Sequence, residues 1–452
     1  MKTQEDKFRD ITEAPLYPLL WKMAIPSMIG MIVTSVYSAT DTFFIGKLNR
    51  TELTASVGIV FSFISMIQAV GFWFGYGAGN YVSRQLGKRD TDEADSMTSI
   101  GLALAVITGL VIMTAGMILI KPLAVLLGAN TSAEALAATV SYLRITLISV
   151  PIMLSGNVLY NVLRLQGSAK DSMTGISVGM VLNMLLDPVF ILVLDMGVAG
   201  AALASLIGQT AGTAILIMKM GKNGNTRIRL SLARPDIFHI KQILAGGAPN
   251  FCRQGITSVS GILLNNIAGA YGEAAIAGMT IAMRILQMGY ALVIGFGQGF
   301  QPICTINYGA SKYDRIRTAF RYALITATAA LSVFAVIFFL EADAFAGVFS
   351  EKSDVCGIAS DILRAMCIPL PFMGIYILIG MILQNIGRFG KATLVTVAES
   401  GIFLIPSALM LTAVLGYTGL VWCKPVSSVS AVIFAVLISR ETFKYDLKEA
   451  TQ

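Results

Sequence analysis

Ala24-Ile-Pro-Ser-Met-Ile-Gly-Met-Ile-Val-Thr-Ser-Val-Tyr-Ser-Ala-Thr-Asp-Thr-Phe-Phe-Ile-Gly46 is an apolar run long enough to cross a bilayer, with one carboxylate, Asp41, sunk in it. An Asp near the middle of a spanning helix costs roughly 2.5–3.5 kcal/mol on insertion scales, so the position needs a partner or a function. At helical spacing Ser27, Gly30, Thr34, Tyr37 and Asp41 fall on one stripe, which should face other helices rather than lipid. Two readings stand at this point: a structural cap or ion pair, or an ion or proton site.

The rest of the chain has the same character. Its 452 residues are 55% hydrophobic and only 13% charged, with 43 Gly and 22 Met, a composition that a polytopic membrane protein needs and a soluble core does not. The net charge of +7 would suggest nucleic acid in a soluble protein. Here the basic residues sit in short breaks between apolar spans, so they read as topology signals and no nucleic-acid partner is expected. Met1 to Ala14 is polar and mixed in charge, without a basic n-region, and no cleaved signal peptide is expected. Cys252, Cys304, Cys356, Cys367 and Cys423 are odd in number and lack paired metal spacing, so they read as buried hydrophobes. The single histidine, His239, lies beside Lys241 at a loop–helix boundary and reads as a loop residue, against a proton relay. One His and scattered Cys leave no material for a metal-dependent or Ser-His-Asp enzyme, and neither an enzyme nor a cofactor is expected.

Twelve apolar segments can be placed, at 17–46, 53–82, 97–120, 135–163, 173–194, 198–219, 238–269, 274–306, 317–340, 357–385, 391–415 and 418–440. The breaks after even-numbered spans are rich in Lys and Arg, as in Arg84-Gln-Leu-Gly-Lys-Arg89, Lys219 to Arg234 and Lys312 to Arg321. The alternate breaks carry only Lys47, Arg50, Lys121 and Lys352. This asymmetry puts the even breaks and both termini in the cytoplasm of a multi-pass plasma-membrane protein.

The polar stretch Gly221 to Pro235 falls midway and separates two repeats. Pro26 with Val33-Thr-Ser-Val36 matches Pro249 with Ile256-Thr-Ser-Val259, and Gly75-Tyr-Gly-Ala-Gly79 matches Gly295-Phe-Gly-Gln-Gly299. Pro151 and Gln166 match Pro369 and Gln384, and Pro188 matches Pro406. Six spans return the chain to its starting side, so the halves share orientation about an axis along the membrane normal. The expected fold is therefore all-α: twelve transmembrane helices in two six-helix repeats around a central cavity. The organisation is a cytoplasmic tail 1–16, a first lobe 17–220, a cytoplasmic linker 221–237, a second lobe 238–440 and a cytoplasmic tail 441–452. Two like bundles around a cavity make a transporter that works by alternating access.

The repeat also permits an internal comparison. Asp41 corresponds to Leu264, and Asn183 and Asp187, four apart on one helical face, correspond to Gly401 and Ile405. A need common to both bundles would leave acids in both, so the asymmetry favours an ion or proton site at Asp41 and Asp187. A carboxylate in a dry bundle has its pKa raised by desolvation, and a second one nearby raises one of the pair further. Such a pair can carry a proton. The neutral oxygens of Tyr37, Asn157, Asn161, Asn183 and Ser205 could instead complete a Na⁺ cage, and residue types alone do not separate these cases. No other metal site is expected. Glu399 most simply pairs with Lys424 or Arg253, against a direct substrate contact, and Arg164 reads as a snorkelling residue at a span end. Met283, Gln287, Met288, Phe296 and Phe300 read as the lining of a soft substrate pocket or as packing.

Pro26, the Thr-Asp41-Thr-Phe-Phe-Ile-Gly46 run, the Gln85-Leu-Gly-Lys turn, Arg164 with Gly167, and Asn183 to Pro188 together resemble the multidrug and toxic compound extrusion (MATE) transporters, over residues 15–440 and with the MepA-like branch most similar. The resemblance implies efflux of cationic or amphipathic drugs by a secondary antiporter driven by inward H⁺ or Na⁺. It implies an ion site at Asp41, Asn183 and Asp187, with Ser205 where a Thr is usual and Asn157 and Asn161 competing for one Asn position. It also makes Pro26 a candidate bend in the first helix. Relatives of the NorM type carry acids in the seventh and tenth helices; here those spans offer Asn250, Arg253, Asn265 and Gln384, so coupling is expected in the first lobe. The expected partners are small organic cations and the bilayer, with the chain acting as a monomer. The alternative on the same fold is a flippase for a lipid-linked oligosaccharide, which would call for an Arg-rich cavity.

Overall fold

A computed structural model describes residues 3–46, 51–130, 132–232 and 236–446, with the side chains at 35–39, 41–46, 51–55, 230, 445 and 446 outside that description. Its elements in chain order are α1 (Gln4–Glu13), α2 (Leu16–Gly46), α3 (Thr51–Gly87), α4 (Thr91–Ile118), α5 (Ile120–Leu126), α6 (Ala133–Leu165), α7 (Ala169–Pro188) and α8 (Gly197–Lys219), followed by α9 (Ile237–Gly269), α10 (Glu273–Gly309), α11 (Tyr313–Leu340), α12 (Ala342–Phe349), α13 (Ser353–Cys367), α14 (Met373–Asn385), α15 (Phe389–Val397), α16 (Leu404–Leu415) and α17 (Tyr417–Glu441). There is no strand among the described residues. α7 runs on into a π-helical turn, Val189–Val193, and a π-helical segment, Ala398–Phe403, joins α15 to α16.

Ten helices are long and apolar enough to span a membrane among the described residues, or eleven if the pair Ser353–Cys367 and Leu370–Asn385, bent by 50°, counts as one. The twelfth helical pass expected from sequence is α9, 33 residues long, whose Asn250, Arg253, Gln254, Asn265 and Asn266 dilute its apolar character. The chain is a multi-pass membrane protein.

The compact units differ from the contiguous halves read from sequence. The first comprises Met1–Ala14 and Ile29–Gly247; the second comprises Pro15–Met28 and Ala248–Gln452. The start of α2 therefore belongs with the second unit and the start of α9 with the first. Each change of unit within a helix lies two residues from a proline, Pro26 in α2 and Pro249 in α9. A proline removes one backbone hydrogen bond and so marks where such a helix can bend.

In the first unit the core forms where small residues let helices close on one another. α3 lays Gly75 against α6 so closely that a Cβ there would stand 2.8 Å from the Asn157 carbonyl oxygen and 2.8 Å from Asn161 Nδ2. In α7 and α8 a Cβ on Gly179 would meet the Gly208 carbonyl at 2.6 Å, and one on Gly208 would meet the Gly179 carbonyl at 2.5 Å. Without a strong hydrophobic drive between helices in lipid, such close backbone approach is what holds them.

The segment expected to be a plain linker is a strap on the first unit. Thr226 is fully buried and its N–H donates to Gln166 Oε1 at 3.0 Å. The Arg227 N–H donates to Asp95 Oδ1 at 2.7 Å, and the Arg229 N–H to Ser99 Oγ at 2.9 Å. The Arg229 side chain adds ion pairs to Asp95 at 3.2 Å and Asp92 at 3.1 Å. The N-terminal tail is likewise structured. Thr3 and Asp6 form a capping box that starts α1, and Ile11, 1% exposed, seats that helix over Gly167. Lys7 Nζ donates to Asn225 Oδ1 at 2.6 Å, tying α1 to the strap. His239, expected at a loop–helix boundary, lies in the first turn of α9, its ring between Asp236 at 2.5 Å and Glu93 at 3.0 Å.

Candidate functional site

α6, α7 and α8 line a half-open cavity of about 150 Å³ in the first unit, with Gln68 of α3 at its edge. The floor is glycine, from Gly175 and Gly179 on α7 and Gly208 and Gly212 on α8, because those residues set the helix separation. Polar groups project between them. Asn183 donates from Nδ2 to Ser205 Oγ at 3.1 Å, joining α7 to α8. Its Oδ1 is buried and finds no hydrogen-bond partner among the described residues, and the same holds for Gln209 Oε1. Two buried acceptors lining one cavity, one from α7 and one from α8, suit a cation, a water or a donor group on a substrate. The volume holds an ion with a few waters and lies well below the roughly 300 Å³ at which drug-sized pockets begin.

Asp187 is fully buried one turn beyond Asn183 on α7, immediately before Pro188 and the π-helical turn. π-helical turns of this kind recur at functional sites. Asp41 and Tyr37 lie on α2 and their side chains are outside the described residues. Pro26 lies inside α2, which runs through it from Leu16 to Gly46.

The two competing asparagines of α6 part company. Asn157 lines the cavity. Asn161, fully buried, donates to the Asn157 carbonyl at 2.9 Å and accepts from Arg164 Nη2 at 3.0 Å. Arg164 does not snorkel: it is 0% exposed, with its guanidinium 5.1 Å from the centre of the Tyr76 ring and 5.8 Å from that of Tyr160. The aromatic faces supply part of what water would give a cation there. Sequence reasoning missed Gln68, Gln209 and Thr213. The signal was present on α8, where Ser205, Gln209 and Thr213 repeat every four residues and make one polar stripe.

In the second unit Glu399 is an ion-paired residue. Its Oε1 accepts from Lys424 Nζ at 2.9 Å and Ser428 Oγ at 3.3 Å, and its Oε2 from Ser400 Oγ at 3.4 Å and Tyr376 OH at 3.5 Å. The surrounding π-helical segment exposes backbone carbonyls that an α-helix would use, and Ser427 and Ser260 donate to those of Glu399 and Ser400. Asn250 Nδ2 donates to Gln384 Oε1 at 3.2 Å, a neutral amide pair. The residues read as a soft pocket are dispersed. Phe296 is buried against the Trp21 ring at 5.4 Å, and Phe300 is fully buried near Phe320 at 6.2 Å. Met283 packs on the apolar cluster around Ala282 and Leu404, while Gln287 and Met288 are exposed. None of these five lines the cavity of the first unit. Phe296 and Phe300 go inward because Gly295 and Gly299 press their helix against Met28 and Ala24. All five cysteines are free thiols. Among the described residues no three His, Cys, Asp or Glu side chains group as metal ligands.

The sequence pattern of the family described as MatE matches residues 26–189 and again 249–410, so each match begins at one of the paired prolines. The Multidrug export protein MepA of Staphylococcus aureus (strain MSSA476) is 26% identical over 94% of this chain and 94% of its own length. A solved structure described as a multidrug resistance MATE family transporter of the MOP superfamily in an outward-facing conformation superposes with a TM-score of 0.89 at 26% identity, covering 97% of this chain and 98% of that one. A second, described as MATE in the bent conformation, gives 0.90 at 26% identity and covers 99% of each chain.

Proposed function

This chain belongs to the MatE family, and on that premise we propose that it is a secondary active multidrug exporter, an antiporter that moves cationic or amphipathic drugs outward as H⁺ or Na⁺ moves in. The observation that carries the reading is the buried polar site of α7 and α8. Asn183 presents an unpartnered Oδ1 one turn from the buried Asp187, while the matching positions of the second repeat are Gly401 and Ile405. The coupling ion is held by Asp187 and Asp41, with Asn183, Ser205, Tyr37 and Asn157 as supporting oxygens. Inward ion movement is driven by roughly 2.3 kcal/mol per charge per 100 mV of membrane potential in addition to the concentration gradient. Asn161 is held by Arg164 and the α6 backbone, and takes no direct part. Glu399 is balanced by Lys424, which leaves ion coupling to the first unit. Both termini and the strap lie on the cytoplasmic side, in keeping with the excess of Lys and Arg there.

The test is dye efflux from vesicles with a pH gradient and a Na⁺ gradient imposed separately. The wild-type chain responds to one of them, and Asp41→Asn and Asp187→Asn each lower gradient-driven efflux at least tenfold while remaining folded. Near-normal efflux from either variant would remove that residue from the ion site, and no response to either gradient would refute the antiport mechanism.

A further inference from the structure

A groove of about 350 Å³ opens on the second unit, distinct from both sites above and built from the end of α11, the middle of α13 and the first turns of α17. Its depth in the membrane follows from where helices stop. α11 ends at Leu340 and α17 begins at Tyr417, so Phe339 and Tyr417 mark the level at which spans leave the hydrocarbon. One wall is apolar and open, with Phe339 48%, Ile368 54% and Trp422 39% exposed. On a spanning helix such side chains meet acyl chains, and Trp favours the head-group boundary. The other wall is ionic. Asp361 and Arg364 are three apart on α13 and so project side by side, with Cβ atoms roughly 5–6 Å apart.

The charges discriminate between lipids. Arg364 uses Nη2 to bond Asp343 of α12 at 2.7 Å, and its guanidinium carries further N–H donors. The neighbouring Ser360 hydroxyl and the Arg364 guanidinium hold the Asp343 carboxyl below the usual carboxylate range, so it stays ionised. Asp361 faces the groove beside the Tyr417 hydroxyl, a neutral hydrogen-bond neighbour, and has no ion pair among the described residues. Two acids therefore surround one base, which disfavours a purely anionic head group and leaves Asp361 for a ligand cation.

We propose that this groove binds a zwitterionic, ammonium-bearing phospholipid of the phosphoethanolamine class. The phosphate sits on Arg364, the ammonium on Asp361, and an acyl chain lies along Phe339, Ile368 and Trp422. Three residues apart on one helix, the base and the acid stand side by side, as phosphate and ammonium do in such a head group. The exposed apolar wall supplies the remaining contact area.

The experiment is native mass spectrometry of the full chain released from nanodiscs containing equal phosphatidylethanolamine, phosphatidylglycerol and phosphatidylcholine. The wild-type chain retains phosphatidylethanolamine at least fivefold over phosphatidylglycerol. Asp361→Asn, an exposed position without an ion pair, brings that ratio close to one, and Ile368→Trp lowers retention of all three by filling the groove. Melting temperature checks that each variant is folded, and added phosphatidylethanolamine raises it for wild type but not for Asp361→Asn. Equal or greater retention of phosphatidylglycerol by wild type, or an unchanged preference in Asp361→Asn, overturns the proposal.

Discussion

Replacing Lys424 by Met strips the buried Glu399 of its one ion-pair partner among the described residues, and the structure sets the size of the penalty. The side chains of Glu399 and Lys424 are 9% and 16% exposed, so water does little to screen the carboxylate. The Lys424 contact at 2.9 Å is short, whereas the hydroxyls of Ser428, Ser400 and Tyr376 stand at 3.3, 3.4 and 3.5 Å. Three long neutral bonds do not replace one charge-assisted one, and breaking a buried pair from one side costs about 3–5 kcal/mol. At about 2.1 cal/mol/K per residue, that lowers the melting temperature by roughly 4 °C if the whole chain unfolds as one, and by about twice that if the second unit unfolds alone. Glu399→Gln combined with Lys424→Met removes both charges while keeping a polar group for the three hydroxyls. The double variant should therefore lie within about 1 kcal/mol of wild type, giving a strong coupling between the two positions. The assay is thermal unfolding in detergent for wild type, both single variants and the double variant, followed by dye efflux from cells expressing the same four. A double variant no more stable than Lys424→Met would refute the account of the pair. A stable double variant with abolished efflux would show that Glu399 has a direct transport role.

The glycine contact between α7 and α8 leads to a second expectation. A Cβ on Gly208 would meet the Gly179 carbonyl at 2.5 Å, so Gly208→Val forces the helices apart and separates Asn183 from Ser205; efflux should fall at least tenfold, with Gly390→Ala in the first turn of α15, where no atom among the described residues crowds a Cβ, as the control for handling. The third concerns pH. The backbone N–H of His239 at 2.8 Å and its ring nitrogen at 2.5 Å hold the Asp236 carboxyl below its usual range. Its contribution to fixing the first turn of α9 is therefore fully present above the ordinary Asp value of about 4, and is lost as pH falls through the lowered native value. Hydrogen exchange at the start of α9 should rise below pH 4 in wild type and be raised already at pH 7 in Asp236→Ala, which removes the acceptor. Equal protection of the two chains at pH 7 would contradict this.

The spans, their repeat and the acid asymmetry were legible because each rests on local pattern. Twenty apolar residues report a bilayer, paired prolines report a duplication, and Asp41 against Leu264 reports a difference between repeats. The side chains that share a site were harder to read. Asn157 and Asn161 lie four apart on one face of α6, so spacing could not separate them; Arg164 does so by engaging Asn161. Phe296 and Phe300 read equally as pocket or core, and Gly295 and Gly299 turn them inward.

By itself the sequence determined that this protein is a duplicated bundle of membrane helices with its unmatched acids in the first repeat, because hydropathy and helical period act along the chain. Tertiary structure alone decided that Glu399 belongs to Lys424, that Asn157 rather than Asn161 borders the cavity, and that the 221–229 stretch is a strap tied to Asp95 and Gln166. Those outcomes depend on how far each helix is rotated and how closely its neighbours approach. Contacts among residues up to 218 positions apart set both, and no local window holds them.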